Sequence, residues 1–182
     1  MTLDDNQLIA LLKEPQTRRK GFEAMVRQYS ERLYWQVRRI VVTHEDADDV
    51  MQNTFLKAWT ALDSFHGDAK LLTWIMRIAV NEALDLKRRQ KVRPSLSADD
   101  ESLGLANQLM ADRYFDGDLA EAQLQEAIDQ LPQVQKTVFT LHYYDEMKYS
   151  DISQVLGTSE GALKASYHIA VKKIAEFFHS RD

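Results

Sequence analysis

The chain has 182 residues, 45% of them hydrophobic and 28% charged, with a formal net charge of −5 and no cysteine. That is enough chain for one sizeable core or two small ones, and the missing thiols exclude disulfides and thiolate metal sites. No apolar run approaches ~20 residues and the start MTLDDNQ lacks the basic-then-hydrophobic order of a signal peptide, so the sequence reads as a cytosolic protein with no membrane insertion.

Residues 3–12 read as a short helix that Pro15 interrupts. From Gly21, the apolar positions Phe22, Met25, Val26, Tyr29, Leu33, Val37, Ile40 and Val41 repeat at helical spacing to about Val42. Thr43 is a candidate N-cap, with Asp46 three residues on. The helix behind it sets Ala47, Val50, Met51, Thr54, Ala58 and Leu62 on a core stripe. Beside that stripe lies a band of Asp48, Gln52, Phe55, Leu56 and Trp59, apolar groups interleaved with an acid and an amide, which suits a protein partner. Periodicity alone equally allows Phe55 and Trp59 to pack on a neighbouring helix.

After a short polar loop, Leu72, Ile75, Met76, Ala79, Ala83 and Leu86 form the core stripe of another helix. Its opposite face collects Lys70, Trp74, Arg77, Asn81 and Arg88 and runs into Lys87, Arg89, Lys91 and Arg93. Cations answer phosphates, an amide pairs with a base edge and an indole stacks on an unstacked base, so this mixture suits single-stranded or melted nucleic acid. The plainer alternative is a solvated basic face with one half-buried Trp. The net charge does not speak against nucleic acid, because residues 70–93 hold seven Lys or Arg against two acids, whereas 94–130 hold nine acids and one Arg.

Three helices with short connections imply an amino-terminal bundle over 1–93. Residues 94–118, rich in Ser, Asp and Gly, read as an acidic linker. A second small helical domain is expected over 119–182, opening with Leu124, Ile128 and Leu131. Pro132 suits the first turn of a helix burying Val134, Val138, Leu141 and Tyr144. Ser150 is a candidate cap for a short helix with Ile152, Val155 and Leu156 inward, and Gly157 a left-handed stop. The last helix, from Thr158 or Ser159 to about His179, turns Leu163, Tyr167, Ala170, Ile174 and Phe177 inward and Gly161, Lys164, Ala165, His168 and Lys172 outward. Short helix, Gly-containing turn and longer helix is the helix-turn-helix arrangement, though other helical hairpins mimic it. The expected fold is all-α.

Catalysis finds no footing. Asp46, Asp48 and Asp49, or Asp99, Asp100 and Glu101, diverge by about 100° per residue on a helix, while oxygen ligation of a cation needs convergence from several elements. The five His residues lack ligand spacing, and no nucleophile-base pattern or Gly-rich phosphate loop is present. No enzyme, metal or cofactor is expected.

Taken together, DADDVMQNTFLKAW, LDSFHGDAKLLTWIMRIAVNEALD, LPQVQKTVFTLHYYDEMKYSDISQVLG and TSEGALKASYHIAVKKI, in that order over residues 20–181, resemble the small extracytoplasmic-function (ECF) sigma factors of bacterial RNA polymerase. The resemblance implies that the helix with Asp48, Asp49, Gln52, Asn53, Phe55 and Trp59 docks on the polymerase clamp. It implies that the loop with Phe65, His66, Gly67, Asp68 and Lys70 captures a flipped base at the minus-10 element, and that Trp74, Arg77, Asn81 and Arg88 hold the melted strand. Gly161, Lys164, Ala165, His168 and Lys172 would meet the minus-35 duplex. The implied partners are the polymerase core through its clamp and flap, promoter DNA and a membrane-anchored anti-sigma factor. Where family members often carry several Arg residues along the last helix, this sequence has Ser166, Ile169 and Val171, so promoter sequence cannot be read from it. The alternative is a helix-turn-helix regulator that acts without polymerase. His66 and His168 also read as ordinary surface imidazoles.

Overall fold

The computed structural model describes residues 2–92, 110, 111, 115 and 117–181. Eight α-helices and one 3-10 turn occur among them: α1 (Asp5–Lys13), α2 (Arg18–Val41), α3 (His44–Ala61), the turn Leu62–Ser64, α4 (Leu71–Val92), α5 (Leu119–Asp129), α6 (Gln133–Tyr143), α7 (Tyr149–Leu156) and α8 (Glu160–His179). The expected linker over 94–118 lies outside the described residues apart from Met110, Ala111, Phe115, Gly117 and Asp118.

Local chemistry sets most helix ends. Asp4 and Gln7 form a reciprocal capping box at α1, while Thr43, Asp118 and Ser159 each accept a backbone N–H at the starts of α3, α5 and α8. Gly157 closes α7 with a left-handed φ of 68°, which a glycine adopts at no steric cost. The cap expected of Ser150 does not form. The chain enters α7 two residues earlier, so Lys148 is the N-cap without a side-chain bond and Ser150 lies within the first turn.

In the amino-terminal half, α3 and α4 run antiparallel to each other and both pack on α2. Their apolar stripes meet in a core of Met25, Leu33, Val37, Ile40, Ala47, Ala58, Ile75, Met76 and Ala79, each 0% exposed. Two polar contacts fix the α3–α4 register from opposite ends: Lys57 pairs with the buried Glu82, and Gln90 Nε2 donates to Asp46 Oδ2 at 2.9 Å. In the carboxy-terminal half, Ala127, Ile128, Leu131, Phe139, Ala170 and Ile174 gather α5, α6 and α8 into a smaller core. Val134, expected inside, is 60% exposed. Val138 and Leu141 are buried as expected, with Thr137 and Phe139 beside them, and Tyr144 is half-buried, so Val134, in the first turn after the Pro132 cap, is the one position that departs from the expected stripe.

The two halves also pack on each other. Val138, Leu141, Met147, Ile152, Val155 and Leu163 join the same apolar cluster as the amino-terminal core. Around this seam Gln36 Nε2 donates to Thr140 Oγ1 at 2.8 Å, Arg32 pairs with Asp145 at 3.2 Å, and the Arg39 guanidinium lies 3.7 Å over the Tyr144 ring, whose hydroxyl donates to Glu121 at 2.5 Å.

Candidate nucleic-acid and polymerase interface

Three surfaces gather the side chains singled out above. The first is the outer face of α3. Asp48, Asp49, Gln52 and Asn53 are exposed and Phe55 is half-buried; Leu56 and Trp59 are 67% and 44% exposed. The alternative of inward packing holds in part: Phe22 on α2 meets Phe55 and Trp59 edge-on, with ring centroids 6.5 and 5.1 Å away. The rings are thus fixed in place while Trp59 and Leu56 keep their outer surfaces free, and with Arg19, Glu23 and Gln52 they line a shallow apolar groove. Pre-set aromatic surface of this kind loses little side-chain freedom on binding.

The second surface runs from the loop after the 3-10 turn along α4. His66, Gly67, Asp68 and Lys70 are exposed, and Gly67 takes a φ of 84° that lets the chain reverse there. Phe65 is buried at 8% exposure, so its ring forms the floor of the loop rather than an open platform for a base. That floor continues into the half-buried Trp74, 5.1 Å away and inclined at 49°. Arg77 and Asn81, three and seven residues on from Trp74 in α4, are exposed, and farther along the helix Arg88 is exposed and paired with Asp85 at 2.9 Å. Lys70 Nζ lies 3.9 Å from Asp151 on α7, an ion pair between the loop and the carboxy-terminal half.

The third surface is the outer side of α8. Gly161, Lys164, Ala165, His168 and Lys172 are all exposed on it, and Ile169 and Val171 lie exposed among them. The helix is held to α6 and α7 by aromatic packing: Tyr167 stacks on Phe139 at 5.5 Å and meets His142 edge-on at 4.7 Å, while His142 stacks on Tyr149 at 4.4 Å. Lys164 Nζ sits 5.8 Å above the Tyr149 ring, which steers its charge toward the start of the helix. Small side chains at Gly161 and Ala165 leave the early turns of α8 open to close approach by a duplex.

Sequence reasoning did not single out Asp5, which reaches the start of α4: Oδ2 accepts from the Leu71 backbone N–H at 3.1 Å, and Oδ1 accepts from the Tyr29 hydroxyl at 2.8 Å. Nor did it single out the Lys57–Glu82 pair behind the α3 and α4 faces. No cluster of three or more potential metal ligands occurs among the described residues, and no described helix is long and apolar enough to cross a membrane.

Comparison with known proteins matches residues 25–93 to Sigma-70 region 2 and residues 121–174 to Sigma-70, region 4. The chain is 30% identical to the ECF RNA polymerase sigma factor SigW of Bacillus subtilis over 156 residues, 81% of this chain and 83% of that protein. It is 31% identical to the ECF RNA polymerase sigma factor SigM of Mycobacterium tuberculosis, over 81% of this chain and 71% of the relative. Its fold matches CnrH, solved with the cytosolic domain of CnrY, at a TM-score of 0.74 and 24% identity over 98% of this chain and 99% of that one. It also matches the sigma factor RpoE of Bartonella quintana, solved with the anti-sigma factor NepR, at 0.69 and 20% identity over 88% and 98%. With both regions present in order and relatives aligned over most of their length, the chain belongs to the ECF sigma factors, the non-catalytic subunits that direct RNA polymerase to promoters.

Proposed function

We propose that the three surfaces divide the work of initiation in the bacterial cytoplasm. The outer face of α3, with Asp48, Asp49, Gln52, Asn53, Phe55 and Trp59, docks on the polymerase clamp. The loop of His66, Gly67, Asp68 and Lys70, floored by Phe65, receives a base pulled from the non-template strand. Trp74, Arg77, Asn81 and Arg88 then carry the unpaired strand and its phosphates along α4. Extracting a base costs a few kcal/mol, which a stacking surface and nearby cations offset only if they are already in place. The α8 face of Gly161, Lys164, Ala165, His168 and Lys172 meets the minus-35 duplex.

The observation that carries this reading is the antiparallel α3–α4 pair itself. One helix turns fixed, exposed aromatic surface outward, and the other puts an indole, an amide and cations beside a glycine-bent loop. A regulator acting without polymerase would leave the exposed Leu56 and Trp59 with no role. Reaching both promoter elements also requires the halves to part. Sites roughly 25 base pairs apart at ~3.4 Å per step lie on the order of 80 Å from one another, whereas the halves share one apolar cluster and the Lys70–Asp151 contact. We infer that an anti-sigma factor restrains the chain, by analogy with the complexed state in which its structural neighbours were solved.

The test is to add the purified protein to core polymerase and map transcription start sites on genomic DNA. Discrete starts that vanish without the protein are expected; duplex binding with no effect on start sites would reject the reading. Replacing Asp49 and Gln52 together with Ala should weaken core binding. Trp74→Ala or Asn81→Ala should reduce promoter opening more than duplex binding.

A further inference from the structure

The helix that carries the strand-holding side chains does not begin on a cap from its own neighbourhood. The first four backbone N–H groups of a helix lack intrahelical acceptors and sit at the positive end of its dipole. At α4 the first of these, on Leu71, is taken by the carboxylate of Asp5, 66 residues upstream. The same carboxylate accepts from Tyr29 on α2, and burial together with this hydrogen bond pushes the Tyr29 hydroxyl up to about 12, so at neutral pH it remains a donor. Just before α1, Leu3 and Gln28 exchange two hydrogen bonds at 3.2 and 3.0 Å, which fixes the approach of Asp5.

The far end of α1 is tied to the other side of the same loop. Arg18 donates through Nε to the carbonyl of Leu12 at 3.1 Å and through a terminal nitrogen to Asp63 in the 3-10 turn at 2.8 Å. The loop of residues 65–70 is therefore held just before its first residue, through Arg18 and Asp63, and just after its last, through Asp5 and Leu71. Between these ties, α1 lies so close to α2 that a Cβ on Gly21 would meet Leu11 Cβ at 2.8 Å and backbone at 3.0 Å.

We propose that α1 is a brace for strand capture, and that Asp5 is its positioning residue, setting the first turn of α4, and with it Lys70 and Trp74, relative to the base-receiving loop. This rests on the assignment of that loop and of α4 to the melted strand. It adds α1, which lies outside the stretch matched to Sigma-70 region 2, to the machinery. Asp5 itself touches no nucleic acid in this scheme. Its effect travels through the Leu71 N–H, so a side chain that keeps an acceptor there keeps the function.

The experiment uses the full chain assembled with core polymerase on the strongest promoter found by start-site mapping, with Asp5→Ala, Asp5→Asn, Tyr29→Phe and Trp74→Ala compared. Opening is read by permanganate reactivity of unpaired thymines, alongside core affinity and the heat-unfolding midpoint. Asp5→Ala is expected to lower opening at least tenfold with core affinity within twofold of the unaltered chain. Asp5→Asn, whose amide oxygen still accepts from Leu71, should recover at least half of the opening, and Tyr29→Phe, which leaves that acceptor in place, should retain most of it. Opening unchanged in Asp5→Ala overturns the proposal. So does an equal loss in Asp5→Ala and Asp5→Asn, or a loss of opening and core affinity together with a large fall in the unfolding midpoint, which marks a merely structural carboxylate. Trp74→Ala separates the two layers: if it opens the promoter normally, the strand assignment of α4 fails, and if it fails to open while Asp5→Ala opens normally, only the brace fails.

Discussion

Helices α4 and α8 both carry exposed side chains assigned to promoter DNA, yet their starts are fixed by different means. At α8, Ser159 accepts from Ala162 N–H at 3.3 Å, Gly157 ends the preceding helix in a left-handed turn, and every residue of the device lies within six positions of the others. At α4, the corresponding acceptor arrives from Asp5, across the whole of α2 and α3. A locally capped helix forms its geometry with its own hairpin, whereas a helix capped from a distance takes its final position only when the bundle has closed. The start of the proposed minus-35 reader is thus set within its own hairpin, although its apolar side chains join the amino-terminal core, whereas the start of the proposed minus-10 apparatus is set by the assembled amino-terminal half. That contrast matches the tasks, because duplex offers a regular groove while a flipped base must meet a pocket already formed.

The largest effect should fall on the face that the brace does not touch. Trp59 is 44% exposed on a ring already fixed against Phe22, the setting in which one aromatic dominates an interface. Trp59→Ala should weaken core polymerase binding by about 2–3 kcal/mol, thirtyfold or more, with fluorescence titration as the measure. Full retention of affinity would remove the polymerase-docking role of α3 and leave α4 as the only specialised helix of the pair.

Next is the seam between the halves. Asp145 is 4% exposed, its Oδ2 has no hydrogen-bond partner among the described residues, and burial pushes its carboxyl up to about 6 from 3.8, against the opposing pull of Arg32 and then Arg39. Because the packed state binds this proton more tightly than the parted or unfolded chain does, its contribution to stability is fully present below the ordinary carboxylate range and lost as pH rises through about 6. Arg32 is 42% exposed, so roughly 2 kcal/mol is a fair discounted size for the change between pH 7.5 and pH 4. Subtracting the pH profile of Asp145→Asn from that of the unaltered chain isolates this part from the histidines and other carboxylates. An Asn variant with the same pH slope would show that the seam does not titrate through Asp145.

How much of this was legible in the sequence follows the same division between local and distant. The stripe of α3, its Thr43 cap, the Gly157 stop and all five outward residues of α8 could be read from spacing, since a helix period and a cap are set by neighbours. Phe65 could not be placed: a lone aromatic in a loop has no period, and only the packing of Trp74 above it shows that it forms the floor. Val134 shares the helical period of the buried Val138 and Leu141, but a period does not say how far along the helix its neighbours reach, and Val134 in the first turn of α6 lies exposed. Asp5 and Glu82 had no signal at all. An acid on a predicted helix surface looks the same whether it faces solvent, the end of another helix or a lysine across a groove.

A smaller effect tests the brace from the side of α2. Gly21→Ala would place a methyl 2.8 Å from Leu11 Cβ and 3.0 Å from the α1 backbone, so α1 must move outward. The expected cost is roughly 1.5 kcal/mol of unfolding free energy by chemical denaturation, in the range for overpacking even though Ala is the better helix former. If the variant is instead more stable, α1 is not tightly seated and the distant cap on α4 loses its anchor.

The smallest effect belongs to the local cap. Ser159→Ala removes the acceptor for Ala162 N–H, which lies at the exposed end of α8 where water replaces it at little cost, and about 1 kcal/mol of stability should be lost. Amide exchange should show the loosening confined to the first turn of α8, with the buried Leu163, next to the Ala162 at which the cap acts, holding the rest of the helix. Binding to a minus-35 duplex fragment should then fall only severalfold, while opening of a promoter already pre-melted at minus 10 stays unchanged. A Ser159→Ala chain whose α4 amides also lose protection would show that the two halves fold as one cooperative block. The distinction between a reader set within its own hairpin and one set by the assembled half would then be only a matter of where the caps come from.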